Sequence, residues 1–270
     1  MSLTSDANSW IERLARAGYT AKGVVYLLIG LLAFQAAIGT GGNTSGTPGA
    51  LRLLLRQPLG RWLLGLVALG LAGYALWRAV SAIADPESHG RHGGKRLFVR
   101  AGYAGSAVLH GALALQAARL ALGRGGARGE AAESWTARLM SAPLGQWLVG
   151  LAAVGVAGYG LVQVVQGLRG EHVAKRLAFG GLGGDERRIL LRTARAGMVA
   201  RGIVFIIMGL FLAHAALEHD PRAAGGLGEA LEALERQPFA PFLLGAVALG
   251  LAAYGVFQLV KARYRVISPA

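Results

Sequence analysis

Residues 16–38 read RAGYTAKGVVYLLIGLLAFQAAI, and this stretch decides the fold. Its only charges, Arg16 and Lys22, sit in its first third. The remainder is apolar or small for long enough to cross about 30 Å of hydrocarbon at about 1.5 Å per residue. Five more runs of this kind come after it, so that six lie at 18–38, 62–83, 102–121, 147–168, 202–217 and 239–260. The opening motif returns as well. Arg16-Ala17-Gly18-Tyr19 reappears as Arg100-Ala101-Gly102-Tyr103 and again as Arg195-Ala196-Gly197-Met198. Pro58-Leu59-Gly60-Arg61-Trp62 reappears as Pro143-Leu144-Gly145-Gln146-Trp147, then more loosely as Pro238-Phe239-Ala240-Pro241-Phe242. Each second run ends alike, at Gly70 to Tyr74, Gly155 to Tyr159 and Gly250 to Tyr254. The chain is a threefold repeat of a two-run unit.

Composition agrees. Of 270 residues, 54% are apolar and 16% charged, against about 25% charged in average soluble chains. Mean hydropathy is +0.45. The 42 glycines are roughly double the usual share of about 7%, which suits helices packed closely in a bilayer. With no cysteine there is no disulfide framework, thiolate metal site or Cys nucleophile. The first run loosely fits a secretory signal. Its counterparts lie deep in the chain, so it is expected to be a retained helix.

The net charge of +14 raises the question of nucleic acid, and its distribution answers it. The N-terminus, the loops after the second and fourth runs, and the C-terminus hold 19 of the 28 Lys and Arg residues; the other three loops hold 9. Acidic residues split evenly. The positive-inside bias puts both termini in the cytoplasm, with anionic headgroups, not nucleic acid, as the partner of the basic face.

These motifs resemble a bacterial membrane-protein family, Domain of Unknown Function 1206, whose members are similarly built from three copies of a two-helix unit. The resemblance covers roughly residues 14–265. The third copy departs from the pattern at Met198 and at Pro241-Phe242. The resemblance implies a fold and a location, and brings no activity or functional residues.

The expectation is therefore an all-α, integral membrane six-helix bundle of three tandem two-helix repeats with pseudo-threefold symmetry, in the bacterial inner membrane. The units are an N-terminal cytoplasmic tail at 1–10 and repeats at 11–84, 95–169 and 190–265. Short amphipathic segments at 49–56, 133–141 and 228–236 should lie on the outer interface. Pro58, Pro143 and Pro238 should start the second helices, where a missing N–H costs nothing. Small residues recur every seventh position in the first helices, as Gly23, Gly30, Ala37 and Gly202, Gly209, Ala216, and allow close backbone approach. The second helices carry two stripes on opposite faces, through Ala68, Ala153 and Ala248 and through Gly70, Gly155 and Gly250; with both buried, each touches two neighbours. Trp10, Trp62 and Trp147 fall at interfaces.

Candidate ligand or pore residues are His110, Tyr26, Tyr74, Tyr159 and Tyr254. His110 lies roughly 12 Å deep beside the small-residue stripe, and an intramembrane ionisable group is a functional hypothesis by default. Its counterparts are Tyr26 and Phe205, so the position also suits a packed flat ring. The tyrosine layer either rings a polar path or bonds backbone where helices cross. Arg16, Lys22, Arg100, Arg195 and Arg201 are candidate contacts for anionic lipid, or snorkelling anchors. Gln163 and Gln258 match Arg78 and suggest one polar layer at the inner end. His89 and His92 have an H-x-x-H spacing without a helical frame.

No Asp or Glu lies within the six runs, none is broken by a central proline, and G-x-S-x-G, H-E-x-x-H and phosphate-loop motifs are absent. No cofactor, metal site or catalytic residue is expected. The reading is a noncatalytic membrane scaffold or lipid- or partner-binding protein, with passive small-solute or ion permeation along the pseudo-threefold axis as the alternative. A homo-oligomer or a membrane-protein partner is left open.

Overall fold

The structure, a computed structural model, describes residues 3–84, 94–124, 131–170 and 183–264. Secondary structure among them is helical throughout. Six helices are long: α1 (Leu3–Ala37), α3 (Gly60–Ala84), α4 (Gly94–Ala121), α6 (Gly145–Arg169), α7 (Gly184–Glu218) and α9 (Ala240–Tyr264). Three are short: α2 (Gly46–Leu55), α5 (Ala131–Met140) and α8 (Leu227–Glu235). Each repeat thus runs long, short, long.

Five of the long helices are long and apolar enough to cross a membrane, which marks a membrane protein. The sixth long helix, α4, is not among them. Helix α4 has the length, at 28 residues, but Tyr103, Ser106, His110 and Gln116 dilute its apolar character. The outward faces elsewhere carry large exposed apolar side chains, including Leu66, Trp62, Trp147, Leu151, Leu210 and Phe242. Such a surface is unsuited to water and ordinary in lipid. The side chain of Trp10, and His89 and His92, lie outside the described residues.

The prolines do not begin the second helices. Pro58 and Pro143 sit in the turn two residues earlier, and Pro238 does the same before Ala240. The residue after each proline takes a left-handed conformation, with φ of 61° at Leu59, 60° at Leu144 and 62° at Phe239. The next amide then bonds back to the residue before the proline: Gly60 N–H to the Gln57 carbonyl (2.8 Å), Gly145 to Ala142 (2.9 Å) and Ala240 to Gln237 (3.0 Å). A left-handed β-carbon costs about 1–2 kcal/mol, so the same turn built three times reflects a chain reversal held by the flanking helices.

The long helices pack in two ways. The first helix of each repeat lies most extensively against the second helix of the repeat before it, cyclically: α4 on α3, α7 on α6 and α1 on α9. The small-residue stripe makes this possible. A β-carbon on Gly30 would stand 2.6 Å from Ala252 N and one on Gly209 2.7 Å from Ala157 N, so only glycine lets these backbones meet. The second joint pairs the two long helices of one repeat. It forms between α1 and α3 and between α7 and α9, while α4 and α6 make no comparable contact. Second helices α3 and α9 accordingly touch two long neighbours as expected, and α6 touches one.

Candidate functional site

The Arg of each Arg-Ala-Gly motif has a common structural use. Arg16 donates to the Ala262 and Arg263 carbonyls (2.5 and 2.8 Å). Arg100 donates to Ala82 and Ile83 (2.6 and 3.2 Å), and Arg195 to Gly167 and Leu168 (2.9 and 2.5 Å). Each caps the last turn of the helix its own helix packs on. Among the described residues those carbonyls have no intrahelical donor, and a guanidinium beside the last described turn is also favoured by the helix dipole. Sequence reasoning anticipated a headgroup contact and missed this role. The recurrence of Arg at the head of each Arg-Ala-Gly motif was the available signal.

Deeper along the same helices, the positions of Lys22, Ser106 and Arg201 converge with the tyrosine layer. Lys22 is 5% and Arg201 7% exposed. Arg201 donates to the Tyr26 hydroxyl (2.9 Å) and to the Gln163 side-chain oxygen (2.7 Å). Its guanidinium carbon lies 4.3 Å from the Phe205 ring centre, 4.9 Å from Tyr254 and 5.6 Å from Tyr159. Lys22 Nζ donates to the Tyr74 hydroxyl (3.4 Å) and stands 4.4 Å over that ring. The same hydroxyl accepts from Arg78 Nε (2.9 Å) and Nη2 (2.8 Å). Lys261 lies over Phe257 (4.6 Å), Tyr19 (4.9 Å) and Tyr254 (5.8 Å).

His110 is drawn into this group. Its ring stacks on Tyr74 at 4.6 Å, and Nδ1–H donates to the Ser106 carbonyl one turn back (2.7 Å). Because a carbonyl only accepts, this bond places a proton on Nδ1. Lys22, Arg78 and Arg201 all lie within electrostatic reach of the ring. Tyr254 in turn is within reach of Arg201, Tyr26, Tyr159 and Tyr74. Tyr26 and Tyr254 meet edge to face at 4.8 Å. All five candidate ligand residues therefore belong to one cluster, as do Lys22 and Arg201. Arg16, Arg100 and Arg195 stand apart at the helix ends.

The cluster is rich in donors and cations and poor in acceptors. No carboxylate among the described residues lies within ion-pair distance of Arg78 or Arg201; the nearby acceptors are phenols, one amide oxygen and ring faces. Aromatic faces offset part of the cost of burying a cation, about 2 kcal/mol or more each when desolvated, without cancelling its charge. Two amides are also left short. Among the described residues, Gln163 Nε2 has no hydrogen-bond partner, and neither end of the fully buried Gln258 has one. Among the described residues, hollows lie away from the cluster, of about 300 Å³ beside Arg187, Leu191 and Arg195 and about 440 Å³ beside Leu59, Trp62 and Gly123.

Comparison with known proteins bears on the fold and not on the cluster. Uncharacterized protein YxxB of Bacillus subtilis (strain 168) is 36% identical over 263 residues, covering 97% of this chain and 94% of that protein. No solved structure matches. A family model described as Domain of Unknown Function (DUF1206) matches three times, at residues 17–85, 101–170 and 196–265. Three matches that track the repeats, with a full-length relative, place the chain in the DUF1206 family.

Proposed function

We propose that this chain is a six-helix bundle of the bacterial inner membrane, organised about a pseudo-threefold axis with both termini cytoplasmic, and that it is a noncatalytic binding protein whose ligand is an anion. The observation that carries this is Arg201, 7% exposed, held by Tyr26 and Gln163 and facing no carboxylate among the described residues. Lys22 and Arg78 add positive charge to the same region. A cation this deep usually has an opposite charge, because desolvation costs several kcal/mol. A phosphate or carboxylate group would supply that charge and accept from the guanidinium, the Gln163 amide and the phenols.

This reading sharpens the lipid- or partner-binding expectation and is preferred to axial permeation. What supports binding is the interlock of the layer: Tyr26 packs on Tyr254, Tyr74 on Tyr19 at 5.5 Å, and Tyr159 on Phe205 at 5.6 Å. The test is thermal unfolding of the purified chain in a neutral detergent with added inorganic phosphate. Phosphate should raise the midpoint of the native chain and leave Arg201→Gln unmoved. An equal shift in both, or none in either, refutes the site.

A further inference from the structure

The α4–α6 joint is the place where the three repeats differ. At the α1–α3 joint a β-carbon on Gly18 would stand 2.4 Å from Tyr74 Cβ; at the α7–α9 joint one on Gly197 would stand 2.4 Å from Tyr254 N. At the matching position of α4, a β-carbon on Gly102 would find nothing within 4 Å. The facing helix repeats the pattern. Gly70 and Gly250 are pressed against Ala21 and Ala200, whereas Gly155 has nothing within 4 Å. Tyr74 and Tyr254 are 2% and 5% exposed; Tyr159, their counterpart, is 50% exposed. Among the described residues, two joints are closed on a tyrosine and the third is open beside one.

The opening leads to the cations. Tyr159, at its edge, lies 5.6 Å from the Arg201 guanidinium, measured to the ring centre. One turn along α6 from Tyr159 is Gln163, 5% exposed, whose oxygen accepts from Arg201. Since a guanidinium only donates, this bond fixes the amide orientation, and the unpartnered atom is a donor, Nε2–H. A buried donor without an acceptor, next to a buried cation without a carboxylate, both among the described residues, calls for an anionic acceptor.

We infer that the gap between α4 and α6 is a lateral entrance through which the headgroup of an anionic phospholipid reaches Arg201 and Gln163, its acyl chains lying against the small residues of α4 and α6. This rests on the anion reading above and adds the source of the anion and its route. The charge balance selects lipid over a second copy of the chain. A second copy would bring its own α4 and α6, which hold no Asp or Glu within their apolar runs and cannot neutralise Arg201. The route selects lipid over free phosphate, because the opening is flanked by apolar side chains such as Leu109 and Val162 rather than by charge. A diester phosphate would accept from Arg201, from Gln163 Nε2 and from the Tyr159 hydroxyl, which is the complement of what the site lacks.

The experiment is native mass spectrometry of the delipidated full chain, titrated with phosphatidylglycerol, with phosphatidylcholine of the same acyl chains, or with inorganic phosphate. Phosphatidylglycerol should bind at least tenfold more tightly than phosphatidylcholine, and Gln163→Leu should weaken it at least tenfold. Gly155→Phe, placed where the open joint has room, should weaken phosphatidylglycerol tenfold while leaving phosphate binding unchanged. Gly102→Phe provides the same block from α4 if the first variant is unstable. Phosphate binding without preference between the two lipids, or phosphatidylglycerol binding indifferent to both blocks, overturns the lateral entrance and leaves the anion site standing. Binding of neither phosphate nor phosphatidylglycerol overturns both. A disulfide between copies, formed by Gly102→Cys and Gly158→Cys chains, would assign the opening to a dimer and overturn the inference.

Discussion

One substitution made at three equivalent positions gives opposite signs if the packing is as described. Gly18, Gly102 and Gly197 each come directly after the Arg-Ala pair of their repeat. An alanine β-carbon at position 18 would lie 2.4 Å from Tyr74 Cβ and 2.9 Å from its Cα; at 197 it would lie 2.4 Å from Tyr254 N and 2.6 Å from its Cα. These are backbone or near-backbone atoms of buried residues, so no rotamer change relieves them. The helices must part by roughly an ångström, and overpacking of this kind costs about 1–3 kcal/mol. At position 102 there is no neighbour within 4 Å, and only the conformational term remains. Replacing a helical glycine by alanine is then favourable by up to about 1 kcal/mol. Gly102→Ala should differ from the other two by about 1–4 kcal/mol, lying at or above the native chain while they lie below it. Unfolding by titration with sodium dodecyl sulfate in mixed micelles, monitored by tryptophan fluorescence, reads this directly. If Gly102→Ala costs as much as Gly18→Ala, the α4–α6 joint is closed and the description of repeat 2 fails.

Three further outcomes rest on individual contacts. Arg195→Gln removes the donors that cap α6 at Gly167 and Leu168, and should cost about 1–2 kcal/mol in the same titration, with Arg16→Gln and Arg100→Gln in the same direction; no loss in any of the three would make these arginines surface anchors. Arg201→Met leaves the Gln163 oxygen unsatisfied, at about 1–3 kcal/mol, but removes an uncompensated buried charge, so the anion-free protein should stay within about 1 kcal/mol of native stability. Failure of Arg201→Met to fold would show the guanidinium to be structural. On the Cys-free background, Asn43→Cys should react with an impermeant thiol reagent in intact cells and Gly183→Cys only after permeabilisation, and the reverse pattern would invert the topology.

The repeat, the helical class and the small-residue stripes were legible because they depend on local spacing. A seven-residue stripe through Gly23 and Gly30 says that a partner comes close, and the partner is α9. The convergence of Lys22, Arg201, His110 and the tyrosines was half legible. Equivalent positions in a repeat must lie at equal depth, but spacing alone does not reveal that Arg201 faces Tyr26 and Gln163 instead of snorkelling. The open joint was not legible. Gly102, Gly155 and Tyr159 keep the residue types that close the other two joints, so the motif reads the same whether or not it is engaged. One trace is compositional: α4, with Gln116 and Arg119 where α1 has Leu32 and Gln35, falls below the apolar character of its counterparts. The proline turns failed for another reason. Helix preference allows proline at the first position, but the left-handed residue after it is set by the angle between the short and long helices.

The cyclic order of packing also sets a clock. Helix α1 is made before the other described helices, yet its most extensive partner, and the carbonyls that Arg16 caps, belong to α9, which is made after them. Some 200 residues separate Ala37 from Ala240, which at about 5–20 residues per second is roughly 10–40 s of synthesis. Through that interval α1 has α2 and α3 beside it, with Gly23 and Gly30 bare along the flank reserved for α9. The newborn helix therefore waits in the bilayer half-dressed, open to any other small-faced helix that passes, until the ribosome delivers α9.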